Sequence, residues 1–306
     1  MKIKSPATIA NLVCGFDILG LAVQEPYDVM MLEKVDAPGL TIFHEDEYGL
    51  SNKPEENVAG AALMAMLEHV NPTHGFKLTI DKRIKPGSGL GSSAASAAGA
   101  VFALNQLLEN PFRNDDLIRF AMFGEKLASG VKHADNITPC LLGGVTLIRS
   151  INPLDVVKLS APELFITIVH PQIEVRTADA RDILKKELQL KLAIKQWGNI
   201  AGLVAGLMKG DLDLIGRSLE DVIIEPARNI LIPGFHEIKQ RCKEAGALGG
   251  GISGSGPSLF MLSKDEPIAK EVEKVMSEIY TGLGIDYKTY VTQLNFSGVQ
   301  PLNKVI

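Results

Sequence analysis

Residues 86–95 read Pro86-Gly87-Ser88-Gly89-Leu90-Gly91-Ser92-Ser93-Ala94-Ala95. Three glycines at alternate positions let the backbone curl tightly and bring its N–H groups close to a ligand. The small-residued stretch Ser92 to Leu108 reads as a helix that starts directly afterwards. Its free N–H groups and positive dipole end then point at the same spot, a setting suited to a triphosphate. Ser92 and Ser93 add hydroxyls for phosphate oxygen or a magnesium ion, and the preceding basic cluster Lys82-Arg83-Ile84-Lys85 adds positive charge. The run lacks the Gly-Lys-Ser/Thr ending of a Walker A loop, and its glycines are not spaced GxGxxG. The competing reading is a glycine turn leading into an Ala-rich helix chosen for tight packing.

Outward from this loop, strand-like and helix-like segments mix. Val29 to Val35 and Lys77 to Ile80 read as strands, and Asn57 to Val70 as a helix. Asp115-Asp116 opens another helix, to about Ser129, with acidic residues where the helix dipole favours them. Asn-Pro and Ala-Pro punctuation between Ser150 and Pro162 marks an expected boundary, dividing the chain into 1–155 and 156–306. Beyond it come strand Leu164 to Val169 and helices at about 178–188, 190–208, 212–222 and 234–244. A glycine-rich loop, strand Ser258 to Leu262, helix Ile268 to Tyr280 and a strand near Tyr287 to Val291 complete an α/β mixture.

Composition narrows the function classes. Hydrophobic residues at 46% against 22% charged describe a chain with a proper core rather than disorder. A net charge of −5 argues against nucleic acid as the main partner, while a small anion needs only a local positive site. Cys14, Cys140 and Cys242 are too few and too scattered for a disulfide framework, and no two of the six histidines stand at i, i+4. No zinc site is expected, and a reducing compartment fits. The N-terminal apolar stretch is broken by Asn11 and Asp17, and no run of 18 apolar residues exists, so neither a signal peptide nor a membrane span is expected. The expected location is cytoplasmic.

The run Pro-x-Gly-x-Gly-Leu-Gly-Ser-Ser-Ala resembles the central phosphate loop of the GHMP kinases, a family of ATP-dependent small-molecule kinases. Two further stretches resemble the family's other motifs. Gly249-Gly250-Gly251-Ile252-Ser253-Gly254-Ser255-Gly256-Pro257-Ser258 resembles the C-terminal one, a backbone that must pass close to other chain or ligand. Pro6-Ala7-Thr8-Ile9-Ala10-Asn11-Leu12-Val13-Cys14-Gly15-Phe16-Asp17-Ile18-Leu19-Gly20 is similar to the N-terminal one, in the Gly-Phe-Asp-x-Leu-Gly form of the branch that phosphorylates homoserine. Galactokinases and mevalonate kinases carry a Gly-Glu-His type of sequence there. This chain departs from the pattern at Val13 and Cys14, where Gly and Pro are typical. Lys132-His133-Ala134-Asp135-Asn136-Ile137-Thr138-Pro139, the segment Thr177 to Arg181 and Glu225-Pro226-Ala227-Arg228 resemble further segments of the same branch.

The resemblance implies the substrates ATP and L-homoserine, with Mg²⁺ as cofactor, and a place in threonine biosynthesis. The nucleotide would lie on Pro86, Gly87, Ser88, Gly89, Leu90, Gly91, Ser92, Ser93 and Ala94. Homoserine has an ammonium, a carboxylate and a primary hydroxyl. Asp17 can pair with the ammonium, and Arg181 and Arg228 can fork onto the carboxylate. Asn11, His133, Asn136 and Thr177 complete the expected substrate set. Taken singly, an Asp after Gly-Phe reads as a turn residue and a lone Arg as a solvated charge.

Ile118, Met122 and Glu125 share one helix face, so Glu125 is a carboxylate on an apolar stripe, costly to bury unless it is paired or binds metal. An internal salt bridge to a lysine would serve, and the resemblance makes it instead the Mg²⁺ ligand together with Ser93. The expected mechanism is in-line attack of the homoserine hydroxyl, aligned by Asn136, on the γ-phosphorus. An amide cannot act as a base, so the proton would pass to a phosphate oxygen or water. Asp135 is set aside as the base, because neighbouring side chains in a helix or strand point in different directions. The fold implied is an N-terminal α/β domain and a C-terminal α+β domain of ferredoxin-like layout, a two-domain arrangement with the site in the cleft between them, in a homodimer. The alternatives are a kinase of this family acting on another small alcohol, or a non-catalytic nucleotide sensor on the same fold.

Overall fold

The computed structural model describes residues 1–70 and 72–302, apart from the side chains of Ser129, Thr177 and Ala178. Its elements run β1 (Lys2–Ala10), β2 (Leu19–Val35), β3 (Leu40–His44), α1 (Val58–Val70), β4 (Gly75–Asp81), α2 (Ser92–Leu107), α3 (Asn114–Ser129), α4 (Ile137–Leu142), β5 (Val145–Ile151) and β6 (Leu154–Leu159) in the first half. The second half holds β7 (Phe165–Pro171), α5 (Thr177–Asp182), α6 (Leu190–Lys209), α7 (Leu212–Ser218), α8 (Glu225–Arg228), α9 (Phe235–Glu244), β8 (Gly249–Ile252), β9 (Leu259–Ser263), α10 (Glu266–Leu283), β10 (Tyr287–Gln293) and β11 (Gln300–Pro301).

Two sheets organise the chain. The first has seven strands in the order β11-β1-β2-β4-β3, with β5 pairing the start of β2 and β6 pairing β5. Its pairs are antiparallel except β3 with β4. The second is antiparallel in the order β10-β7-β9-β8. Counted along the chain from β7, that is 4-1-3-2, the order of a ferredoxin-like sheet, with α10 joining its third and fourth strands. The expected boundary after residue 155 falls inside β6, whose pairing with β5 runs to Leu159, so the chain leaves the first sheet at 160–164. The sheets also meet at a bridge between Val23 and Leu294.

Helix α2 is the spine of the first half. Its Ala and Gly residues let it lie close against β1 and β2, where Gly99 faces Met30, Ile3 and Ser5. Helices α1 and α3 pack on it from the other side. The core formed there is continuous with one face of the second sheet. Ile166, Ile168, Phe260 and Leu262 belong to it, as do Leu203, Leu207 and Ile215 from α6 and α7. The alternate residues Val169, Leu259 and Met261 face a separate core under α9 and α10, as the two-residue period of a strand requires.

Three segments differ from their reading in the sequence. The helix expected over 212–222 ends at Ser218, because Asp221 draws the N–H groups of Ile223, Ile224 and Glu225 onto its carboxylate and starts α8 instead. The helix expected over 178–188 ends at Asp182. The start of the glycine-rich loop is the edge strand β8, in register with β9. Because Phe260 joins the core shared by both sheets, Phe260→Ala should cost about 3–5 kcal/mol. In urea it should shift one cooperative transition, followed by fluorescence and by circular dichroism, rather than release the second sheet separately.

Candidate active site

The glycine loop at 86–91 is shaped by what presses on it. Gly87, Gly89 and Gly91 have φ of 74°, 81° and 64°, the left-handed region that glycine adopts without strain. A Cβ on Gly89 would stand 2.6 Å from the carbonyl oxygens of both Gly256 and Ser253, and one on Gly91 would stand 1.9 Å from Thr8 Oγ1. The loop is thus pressed between the N-terminal and C-terminal motifs, and hydrogen bonds tie it to both. Thr8 N–H donates to the Leu90 carbonyl at 3.1 Å, Ser258 N–H to that of Ser88 at 3.2 Å, and Ser253 Oγ to that of Gly89 at 2.7 Å. Helix α2 starts at the end of this loop, and the N–H groups of its first turn have no partner within the helix.

The side chains of the loop contribute less than the sequence suggested. The Ser92 hydroxyl donates inward to the Ile84 carbonyl at 2.8 Å, and Leu90 and Ala94 are buried, so these residues offer a ligand their backbone. The basic cluster is spent elsewhere. Lys82 is buried against Asp28 and donates to the Ser92 carbonyl at 2.6 Å and to Ser96 Oγ at 2.9 Å. Arg83 pairs with Asp81, and Lys85 donates to Gln172. Positive potential at the loop therefore comes chiefly from the helix end, with Lys82 as a strut beneath its first turn.

Ser93 Oγ donates to Glu125 Oε2 at 2.9 Å, which joins α2 to α3 on the wall of the cleft. Burial pushes the Glu125 carboxyl above its usual range, against the pull of that hydrogen bond. A carboxylate and a hydroxyl side by side are hard oxygen donors of the kind Mg²⁺ takes. Among the described residues no cluster of three or more His, Cys, Asp or Glu could hold a metal ion.

The N-terminal motif turns through an uncommon backbone. Asn11, Leu12 and Val13 have φ of 73°, 42° and 66°, a left-handed turn that costs on the order of 1–2 kcal/mol per residue. Val13 thus holds, with a β-branched side chain, a conformation that glycine adopts freely. The Asn11 amide keeps the turn closed: Nδ2 donates to the Gly254 carbonyl at 2.8 Å, and Oδ1 accepts Asp17 N–H at 3.0 Å. Asn11 therefore acts as a tie within the site, with both ends of its amide engaged.

That turn delivers Asp17 into the cleft. Arg181 Nη2, from α5, donates to both its oxygens at 2.9 and 3.2 Å, and His133 Nδ1 lies 3.8 Å away. Arg228, from α8, is 3% exposed and donates to the carbonyls of Ala180 at 2.8 Å and Gly254 at 3.0 Å. Burial, with the Arg181 charge beside it, pulls its guanidinium down to about 10. Both guanidiniums lie over the Phe16 ring, at 5.5 and 5.1 Å from its centroid. His133 Nε2 is buried with no partner among the described residues, and burial lowers the ring's pKa. Thr177 opens α5, and its side chain lies outside the described residues.

Asn136 directly precedes α4, and instead of capping the helix its Oδ1 accepts the Thr8 hydroxyl at 2.7 Å. Asp135 lines the same cleft, contrary to the expectation that neighbours would diverge. Both lie in the turn ahead of α4, where neither helical nor strand alternation applies. Burial, followed by the charges of Asp17 and Glu125, raises the Asp135 carboxyl to about 7.

Of the site residues expected from the sequence, all except Ser88, Leu90, Ala94 and Thr177 line one cleft of about 400 Å³. It also holds a group that the sequence reading did not single out: His44, Leu50, Ser51, Asn57 and Val58. Asn57 caps α1 by accepting the Ala59 and Gly60 N–H groups, and its Nδ2 bonds His44 Nε2 at 2.9 Å and the Ser51 carbonyl at 2.7 Å. The signal available for it was an Asn directly before an Ala-rich helix, an N-cap pattern with no hint of a ligand.

Comparison with known proteins agrees along most of the chain. The family model for the GHMP kinases N terminal domain matches residues 57–144, and that for the GHMP kinases C terminal domain matches residues 203–282. The chain is 44% identical over 289 residues to a homoserine kinase of Chloroherpeton thalassium, covering 90% of this chain and 91% of that one. It is 42% identical over 290 residues to a homoserine kinase of Chlorobium phaeobacteroides, with the same coverage. A crystal structure of homoserine kinase from Cytophaga hutchinsonii superposes with a TM-score of 0.94 at 46% identity, covering 98% of this chain and 96% of that one.

The strut under α2 is testable by itself. Lys82→Met leaves the Asp28 carboxylate buried without its cation and should cost about 3–5 kcal/mol in urea unfolding. A loss below about 1 kcal/mol would remove Lys82 from this role.

Proposed function

The chain belongs to the GHMP kinases, and we propose that it transfers the γ-phosphoryl group of ATP to the side-chain hydroxyl of L-homoserine, a step of threonine biosynthesis. The observation that carries this reading is the charge set in the cleft. One carboxylate, Asp17, stands with two guanidiniums, Arg181 and Arg228, beside a loop built for phosphate. An α-amino acid needs all three, and a sugar or mevalonate does not.

Without substrate, Asp17 and Arg181 neutralise each other. A zwitterion entering between them gives its ammonium to Asp17 and its carboxylate to Arg181 and Arg228, so an internal pair is exchanged for two external ones with no charge left bare. Arg228 is fixed for this by two carbonyls and the Phe16 face, and it keeps further N–H groups to offer. His133 stands beside Asp17 at the same end of the cleft.

The free N–H groups at the start of α2 and the loop backbone hold the nucleotide phosphates. The group around His44, Asn57 and Val58 is left for the adenosine end. Mg²⁺ would be held by Ser93 and Glu125, and when bound it supplies charge neutralisation at the β- and γ-phosphates. The Thr8 hydroxyl occupies Asn136 Oδ1 and so leaves Nδ2 as the donor that orients the attacking oxygen. Phosphoryl transfer asks the protein for positioning and charge stabilisation rather than covalent chemistry, and this inventory supplies both.

The same reading places the enzyme in the cytoplasm, where ATP is available and the three buried, unpaired cysteines stay reduced. It also takes the chain as a homodimer. Leu190, Ile194 and Trp197 stand on one face of α6 at 66%, 56% and 58% exposure, a stripe that a second copy can cover.

Purified protein with Mg-ATP should release ADP with L-homoserine and not with L-serine, mevalonate or galactose. Release with mevalonate or galactose instead would move the substrate assignment, and no release with any of them despite ATP binding would favour the sensor reading. Glu125→Gln should lower kcat by about 10² or more and raise the Mg²⁺ concentration needed for half-maximal rate. Unchanged Mg²⁺ dependence would remove Glu125 from the metal site.

A further inference from the structure

We infer that Gln196 of α6 is a positioning residue for the amino-acid end of the cleft: its side-chain amide ties the turn that carries Asp17 to the segment that carries Arg228. The inference rests on the reading above, that a zwitterionic amino acid binds between these charges.

Gln196 is buried where its surroundings are not. Its neighbours on α6, Ile194, Lys195 and Trp197, are exposed, while Gln196 itself is 5% exposed. A buried amide is costly unless its polar atoms are engaged. Here both ends of it are used. Nε2 donates to the Cys14 carbonyl at 2.7 Å, and Oε1 accepts the Val222 N–H at 3.1 Å.

The two partners belong to the two segments that bring charge into the cleft. Cys14 lies between the left-handed residues Asn11–Val13 and Asp17. Within this turn the hydrogen bonds are short-range, from Cys14 N–H to the Leu12 carbonyl and from Gly15 N–H to that of Asn11. The second half of the chain holds the turn at two further points, Asn11 on the Gly254 carbonyl and Cys14 on Gln196. On the other side, Val222 follows Asp221, whose carboxylate gathers the N–H groups of Ile223, Ile224 and Glu225 and starts α8. Arg228 is the last residue of that helix. One side chain thus fixes the root of the carboxylate against the root of a guanidinium.

The helix does not need this amide for its own attachment. Leu203 and Leu207 anchor α6 in the shared core, and Lys195 and Asn199 reach Glu220. Nor does the glycine loop at 86–91 depend on it, since that loop is tied through Thr8, Ser253 and Ser258. An amide suits both partners because it carries a donor and an acceptor, whereas an apolar side chain would leave the carbonyl of buried Cys14 unpaired. Loss of Gln196 should therefore loosen the amino-acid end of the cleft and spare the nucleotide end.

The test measures kcat and the KM values for L-homoserine and ATP in Gln196→Met, which keeps the side-chain length and loses both hydrogen bonds, with thermal melting as the control for folding. The homoserine KM should rise about tenfold or more, while kcat stays within about threefold and the ATP KM within about twofold. A folded variant that melts earlier but keeps its homoserine KM within about threefold of the wild type overturns the inference, because the tie would then serve stability alone. An ATP KM that rises as much as the homoserine KM also overturns it. If Gln196→Met does not fold, Gln196→Asn, with the same amide on a shorter stem, is judged by the same limits. If neither folds, hydrogen exchange of the Val222 amide in the wild type decides: slowing on addition of L-homoserine supports the tie, and unchanged exchange overturns it. A wild type that turns over a different alcohol fails the functional reading instead, and the tie is then judged on the KM for that alcohol.

Discussion

The Gly254 carbonyl oxygen accepts hydrogen bonds from the Asn11 amide and from the Arg228 guanidinium, while Ser253, one residue earlier, donates to the phosphate loop at Gly89. Around this point the N-terminal turn, the central loop and a helix of the second half are fixed relative to one another. Each of the three motifs is irregular and could not hold its shape alone. The left-handed turn at Asn11–Val13 is strained, the loop at 86–91 carries three glycines at positive φ, and the segment at 253–258 is mostly Gly and Ser. Packed together they satisfy one another's backbone groups, which lets strained conformations persist at a functional site.

The continuous core explains why this arrangement is rigid enough to use. One face of the second sheet, together with α6 and α7, packs into the same apolar core as α2 and the first sheet. The cleft therefore draws charges from both halves, with Asp17 from the first and Arg181 and Arg228 from the second. Buried ions within the first half serve a different end. The Lys82–Asp28 pair holds the first turn of α2 in place, and Asp28 also accepts the N–H groups of Arg83 and Ile84, fixing the approach to the loop.

The sequence was most legible where chemistry demands particular residues in a short run. The glycine loop, the Gly-Phe-Asp turn and the two arginines, which the fold brings to one cleft, stand out in the sequence because glycine spacing and charge type are local signals. The long helices were readable too, as α2, α6 and α10 show strong composition or periodicity. Strand β1 was not, because seven of its nine residues are buried and no polar alternation marks it. The Lys82 strut was hidden for another reason: a lysine beside a phosphate loop suggests a phosphate ligand, and only the fold reveals Asp28 from β2 beneath it. Asp135 was expected to diverge from Asn136 by a rule about regular elements, yet both line the cleft from a turn that does not obey that rule. The His44–Asn57 group depends on contacts between a strand end and a helix start, thirteen residues apart, with no motif to announce them.

The central claim is that one cleft brings the phosphate loop and a zwitterion site into register. The most direct measurement is a crystal structure with Mg²⁺, a non-hydrolysable ATP analogue and L-homoserine. The account predicts phosphates on the N-terminus of α2, the Asp17–Arg181 pair opened by the homoserine ammonium and carboxylate, and the hydroxyl beside Asn136. Homoserine bound elsewhere, with Asp17 and Arg181 still paired, would contradict it.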